Sequence, residues 1–235
     1  MVEVPPLKIQ IRPGTYARGL ETVEQILRAA LQIMVDEGYR ALTLRRIAEV
    51  CNMKVGNVTY YFPNKDLLVR EMIDSVLNSY EEVFDSILND LSRSPEERLK
   101  SVIRLILDDI QTKKTTNFFP ELWALSNYDA VLAERVDNVY RRARGVLNQL
   151  IPLINPRLSE GEREVVALYI SASLEGTTIF AGYNKPWAHQ MPQIENIAIK
   201  ALVDMVRSIT SEDIWKLQDN AETFNPIPVV FPARR

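Results

Sequence analysis

The chain is poor in the residues that carry most enzyme chemistry. It has one cysteine, Cys51, one histidine, His189, and only eight glycines in 235 residues. A single cysteine excludes an intrachain disulfide. One Cys and one His are too few for a ligand cluster, so no metal is expected, and they count against a catalytic dyad. No G-x-S-x-G elbow, H-E-x-x-H pair or phosphate-cradling glycine loop occurs, so neither an enzyme nor a bound cofactor is expected. No Val/Ile/Thr-rich alternating run suggests a sheet. No apolar stretch is long enough to span a bilayer, and the opening MVEVPPLKIQIRPG lacks a signal-peptide core. These absences lead to the expectation of a cytoplasmic protein without a membrane partner.

What remains is a chain of 46% hydrophobic residues with nearly continuous helical patterning, enough for a sizeable core. An all-α fold is expected. The net charge of −3 is unevenly spread: residues 1–70 hold ten Lys/Arg against seven Asp/Glu, an excess of +3, which leaves −6 for the remainder. A basic head on an acidic body orients a protein toward a polyanion.

The segment Leu42–Leu68, LTLRRIAEVCNMKVGNVTYYFPNKDLL, is the most informative. Thr43 suits an N-cap, and Leu44, Ile47, Ala48 and Cys51 form a two-turn apolar stripe. Asn52 falls where the chain must reverse and tolerates a left-handed backbone. A second short helix, about Val55–Tyr61, should carry Val55, Val58 and Tyr61 or Phe62 inward, with Met53 filling the angle between the helices. Two helices joined by such a turn form a helix-turn-helix, whose second helix reads a DNA groove. The candidate DNA-contacting set is Thr43, Arg45, Lys54, Val55, Gly56, Asn57, Thr59, Tyr60, Tyr61 and Lys65. Lys54 and Lys65 can neutralise phosphates, the hydroxyls of Thr43, Thr59, Tyr60 and Tyr61 can donate to phosphate oxygens, and Asn57 can pair with adenine. Gly56 removes a side chain where the helix start would approach the duplex. Asn64 can cap the following helix. The competing reading is an ordinary helical hairpin whose polar face is merely wet.

The order and spacing of these residues, above all Y-Y-F-x-x-K-x-x-L-L, resemble the DNA-binding domain of TetR-type repressors. The likeness extends back through a first helix, about Leu20–Glu37, and covers roughly the first 70 residues. Asn52 stands at a common glycine site, Lys54 at a common serine site and Val58 at a common leucine site. The resemblance implies a homodimer on a palindromic operator in double-stranded DNA and a small-molecule effector, largely apolar, held among the middle helices.

The remaining chain is read as follows. Residues 1–18 form a basic, Pro-bearing arm or a disordered terminus, 19–66 the helix-turn-helix domain, 67–217 a helical effector-binding and dimerisation domain, and 218–235 a Pro-rich tail. A long helix from Asn64 to about Leu91 should link head and body and act as the lever between them. Ser94–Glu97 and Ser159–Glu162 read as capping boxes. A helix around Asn117–Asn127 should kink or restart at Pro120. The helix Glu162–Gly182 is apolar on nearly every side, and Pro192–Thr210 carries one apolar stripe. Together they are the candidate dimer helices, with Ile170, Leu174, Ile197, Ala201 and Met205 at the interface; a purely intrachain core is the alternative. Phe118, Phe119, Trp123, Tyr128, Tyr169, Ser173 and Thr177 are the candidate ligand contacts, in a region that also holds Tyr140 and Glu175. Aromatics at this spacing equally suit a core. The rival to a regulator is a ligand-free helical protein-interaction module.

Overall fold

The computed structural model describes residues 17–216, so most of the basic arm and the Pro-rich tail lie outside the described residues. Among the described residues ten helices follow one another: α1 Ala17–Glu37, α2 Leu44–Val50, α3 Val55–Tyr61, α4 Lys65–Asn89, α5 Pro95–Ile110, α6 Lys113–Ser126, α7 Ala130–Ile154, α8 Glu160–Ala181, α9 Met191–Ser208 and α10 Ser211–Trp215, with a short 3-10 turn at Ala188–Gln190. No strand occurs among the described residues, and no described helix is long and apolar enough to cross a membrane.

Local chemistry sets the helix ends. Thr43 accepts a hydrogen bond from the Arg46 amide, Asn64 from Leu67 and Thr112 from Thr115. Both capping boxes form, with the Glu97 and Glu162 carboxylates accepting from the amides of Ser94 and Ser159. Thr112 separates α5 from α6, so α5 stops at Ile110. α6 is continuous through Pro120, where a kink or restart was expected, and α7 runs through Pro152 to Ile154. Thr210 caps the short α10.

Two apolar clusters hold the chain. One joins α1–α4 to Phe118, Phe119 and Leu122 of α6 and Leu132 of α7. The head is therefore packed into the body, and its core extends well beyond residue 66. Polar contacts reinforce this seam: Asn117 Nδ2 donates to the Val35 carbonyl at 2.8 Å, and Lys113 pairs with Asp36 at 2.5 Å. The second cluster gathers α5, the C-terminal half of α7, α8 and α9.

On α8 the intrachain stripe is Val166, Ala167, Ile170, Leu174, Thr178 and Ala181. Ile170 and Leu174 are 0% and 1% exposed, so they belong to the chain's own core and not to the dimer surface expected of them. An all-round apolar helix does not disclose which face is taken internally. The open stripe is Val165, Leu168, Tyr169, Ile179 and Phe180. On α9, Ile197 and Ala201 are exposed and Met205 is half-buried.

Candidate functional site

The first candidate site is the surface of α2 and α3. Asn52 takes φ +53°, which lets the Met53 amide reach back to the Ala48 carbonyl at 2.8 Å and closes the turn. Met53 packs half-buried into the angle. Val58 and Phe62 anchor α3 at 0% exposure, with Tyr61 half-buried beside them. Val55, expected inward, is 43% exposed, so of the inward set only Val58, Phe62 and, in part, Tyr61 are taken into the core. Lys54, Gly56, Asn57 and Tyr60 share this open face, and Thr43 and Arg45 lie exposed at the start of α2. Tyr60 is 79% exposed and meets Tyr61 edge-on at 5.0 Å.

A Cβ added at Gly56 would meet nothing within 4 Å among the described residues, so the fold itself does not require this glycine. Thr59 uses its hydroxyl hydrogen on the Gly56 carbonyl at 3.1 Å, unlike the free phosphate donor expected of it. Lys65 also differs from expectation. It is half-buried, donates to the Tyr39 carbonyl at 3.1 Å and lies 3.6 Å over the Tyr39 ring, and desolvation lowers its pKa. It fastens α4 to the end of α1 before it can serve any phosphate. Arg46 similarly joins α2 to α1 through a two-pronged bond to Glu37, which holds the Glu37 carboxyl below its usual range.

The second candidate site is a cavity of about 770 Å³ between α4, α5, α6, α7 and α8. Its aromatic lining is Tyr80, Phe84, Phe119 and Tyr140, and its polar lining includes Asp109, Thr115 and Glu175. Asp109 Oδ2 accepts from Tyr80 Oη at 2.7 Å and from Thr115 Oγ1 at 2.5 Å. Lys114 Nζ donates to Tyr80 Oη at 2.8 Å and lies 3.6 Å from Asp109 Oδ1. Trp123 Nε1 donates to Tyr140 Oη at 2.8 Å, and Tyr140 in turn bonds the Glu175 carboxylate. Burial and the nearby Asp109 charge push Glu175 up to about 7, and burial lowers Lys114.

Of the seven expected ligand contacts, only Phe119 lines this cavity. Phe118 is fully buried in the head-side cluster, and Trp123 acts one step back, through Tyr140. Tyr128 is 93% exposed at the turn between α6 and α7. Tyr169 and Ser173 face outward on α8, and the hydroxyls of Ser173 and Thr177 bond carbonyls one turn back in their own helix. Tyr80, Phe84 and Asp109 were missed because α4 and α5 read as plain amphipathic helices. The signal available was Asp109 itself, an acid interrupting the apolar face of α5.

The family profile described as "Bacterial regulatory proteins, tetR family" matches residues 26–72, and "BetI-type transcriptional repressor, C-terminal" matches residues 95–207. An uncharacterised helix-turn-helix transcriptional regulator from the dhlA 5′ region of Xanthobacter autotrophicus is 26% identical over 168 residues, covering 67% of this chain and 78% of that protein. The transcriptional regulator BetI of Stenotrophomonas maltophilia is 25% identical over 174 residues, covering 71% and 88%. Among solved structures, a transcriptional regulator from Saccharomonospora viridis in complex with choline has the same fold, with TM-score 0.63, 19% identity and coverage of 77% and 96%. The two profiles together span more than half of the sequence, one over the helix-turn-helix and the other over most of the residues that line the cavity. The chain belongs to the TetR family of helix-turn-helix transcriptional regulators, which are not enzymes.

Proposed function

We propose that the protein is a homodimeric repressor that leaves a palindromic operator when a small organic cation enters the cavity. The observation that carries this reading is the outward face of α3, where Lys54, Val55, Gly56, Asn57 and Tyr60 stand exposed on a helix anchored only by Val58 and its neighbours. Such a helix can enter a major groove, with Asn57 at base edges, Lys54 on phosphate and Gly56 allowing close approach.

Dimerisation is supported by the open apolar stripe of α8 with Ile197 and Ala201 of α9. Exposed apolar residues on two neighbouring helices suit a four-helix contact about a twofold axis. Paired recognition helices would then lie about 34–36 Å apart.

The effector reading rests on the cavity lining, in which acids outnumber bases and four aromatic rings offer their faces. The choline held by the Saccharomonospora protein points the same way. The ligand expected from sequence was largely apolar; the lining adds a positive charge to that body. Coupling has two carriers. α4, the lever expected from the sequence, lines the cavity and is fastened by Lys65 to the Tyr39 carbonyl just beyond α1. α6 lines it through Thr115 and Phe119 and grips the end of α1 through Lys113 and Asn117. A ligand that prefers one setting of these helices shifts DNA affinity by its differential affinity.

The test is selection of full-length protein on a random duplex pool, followed by titration of the selected duplex with and without candidate cations. Enriched inverted half-sites, and release by a cation, are expected. A pool that stays random would refute the repressor reading.

A further inference from the structure

The cavity holds an acid with no basic partner among the described residues. Glu175 of α8 is half-buried and lines the space. Its hydrogen-bond partner is the Tyr140 hydroxyl, which can serve only one oxygen, and the other oxygen is not sealed off from the cavity. The charge that acts on it is another carboxylate, Asp109 of α5.

The surrounding groups do not supply a counter-charge. Lys114 of α6 stands 3.6 Å from Asp109 Oδ1 and donates to Tyr80 Oη of α4. Arg135 of α7 pairs with Asp74 of α4 at 2.6 Å. Asp85 of α4 and Glu134 and Arg142 of α7 complete the charged lining, to which α9 and the turn before it add nothing. His189, the only histidine, lies in that turn, stacked on Trp187. Tyr80 and Tyr140 are pushed above the ordinary phenol range, by burial first, and remain donors near neutral pH. A carboxyl shielded from water without a counter-charge holds either a proton or a cation.

We propose that Glu175 is the charge anchor of the effector site, and that a small organic cation binds there by exchange, entering as the carboxyl releases its proton to solvent. This rests on the effector reading above and deepens it. The exchange balances: one positive charge enters, one proton leaves, and Asp109 keeps Lys114 throughout. Binding therefore adds no net charge to the cavity, which avoids the cost of burying one. The Tyr140 ring stands beside the carboxyl and 6.4 Å from the Phe119 ring, so aromatic faces can hold the alkyl groups of an ammonium. A neutral ligand gains nothing from an ionised Glu175, and an anion is opposed by it.

The experiment is isothermal titration of the full-length protein with choline and hexyltrimethylammonium at pH 6 and pH 8, each in two buffers of different ionisation enthalpy, which counts the protons released. Both probes keep their charge at either pH, so a pH dependence belongs to the protein. With the empty-state carboxyl titrating at about 7, both cations should bind about 10-fold more tightly at pH 8 than at pH 6. About one proton per cation should be released at pH 6 and almost none at pH 8. The neutral isostere of choline, 3,3-dimethyl-1-butanol, should show no such gain. E175Q should flatten the pH profile, abolish the proton release and weaken both cations about 10-fold or more at pH 8. The wild-type proton count stands even if E175Q fails to melt cooperatively. Cation binding of equal affinity at the two pH values with no proton released, or a slope that persists in E175Q, would overturn the exchange at Glu175 while leaving a cation effector standing. Binding of the alcohol as tightly as choline at pH 8, or failure of both cations to bind at pH 8, would overturn the cation reading as well.

Discussion

Replacing Glu175 with Gln should stabilise the folded protein at pH 8 and change little at pH 5. The carboxyl sits among Tyr140 of α7, Asp109 of α5 and, behind these, Tyr80 of α4 and Lys114 and Trp123 of α6. Burial first, and the Asp109 charge second, raise its pKa from 4.5 to about 7. Between those values the folded chain holds a proton that the unfolded chain has released, so stability falls as pH rises through this window. At about 1.36 kcal/mol per pH unit the whole interval corresponds to roughly 3 kcal/mol. Water reaching the cavity screens part of it, so a gain of about 1–3 kcal/mol is expected for the uncharged isostere at pH 8. Gln can still accept the Tyr140 hydrogen, so the packing should hold. For a chain of this size the gain corresponds to about 2–4 °C in Tm per kcal/mol. Thermal melts of both proteins at pH 5 and pH 8 measure it. An equal difference at the two pH values, or a less stable variant at pH 8, would refute the account of this carboxyl.

Gly56→Ala should leave stability unchanged or raise it by up to about 1 kcal/mol, because nothing crowds the added methyl and alanine favours a helix, yet it should weaken operator binding about 10-fold or more; melts and anisotropy titrations separate the two effects. Ile170→Ala should cost about 2–5 kcal/mol as a core truncation, whereas Ile197→Asp should spare the monomer fold and shift sedimentation toward single chains. The reverse assignment in ultracentrifugation would contradict the proposed dimer face. Gly182→Ala should destabilise by about 1–3 kcal/mol, since its Cβ would lie 2.5 Å from Thr116 Oγ1 and 2.6 Å from the Thr178 carbonyl. That hydroxyl accepts the Tyr183 amide and donates to the Ile110 carbonyl, so it has little room to move; urea denaturation tests it.

Local signals were the ones the sequence expressed well. Thr43, Asn64, Ser94 and Ser159 mark helix starts because a side-chain oxygen or a glutamate three residues on serves the free amides there. Asn52 marks the tight turn because few other side chains accept a positive φ. Exposure on α3 followed from period alone except at Val55, which is open, and Thr59, which is half-buried. The cavity was not legible in the same way. Tyr80, Asp109 and Glu175 lie far apart in the chain and converge only when α4, α5 and α8 pack together. Trp123 drew attention as an aromatic, but its contribution is the hydrogen bond to Tyr140, 17 residues away. On α8, Ile170 and Tyr169 are neighbours in sequence with opposite fates, one in the chain's own core and one outside. Hydrophobicity does not separate such positions when both faces of a helix are apolar. Lys65 illustrates the same limit for charge, since only the packed structure reveals that Tyr39 occupies it.

The central claim is that two copies of the outward α3 face read one duplex together. The most direct measurement is a stoichiometric anisotropy titration of the duplex selected by the full-length protein, repeated between 50 and 200 mM salt. Two chains per duplex, inverted half-sites about one helical turn apart and a steep loss of affinity with salt are expected. One chain per duplex, or affinity that ignores both sequence and salt, would contradict it.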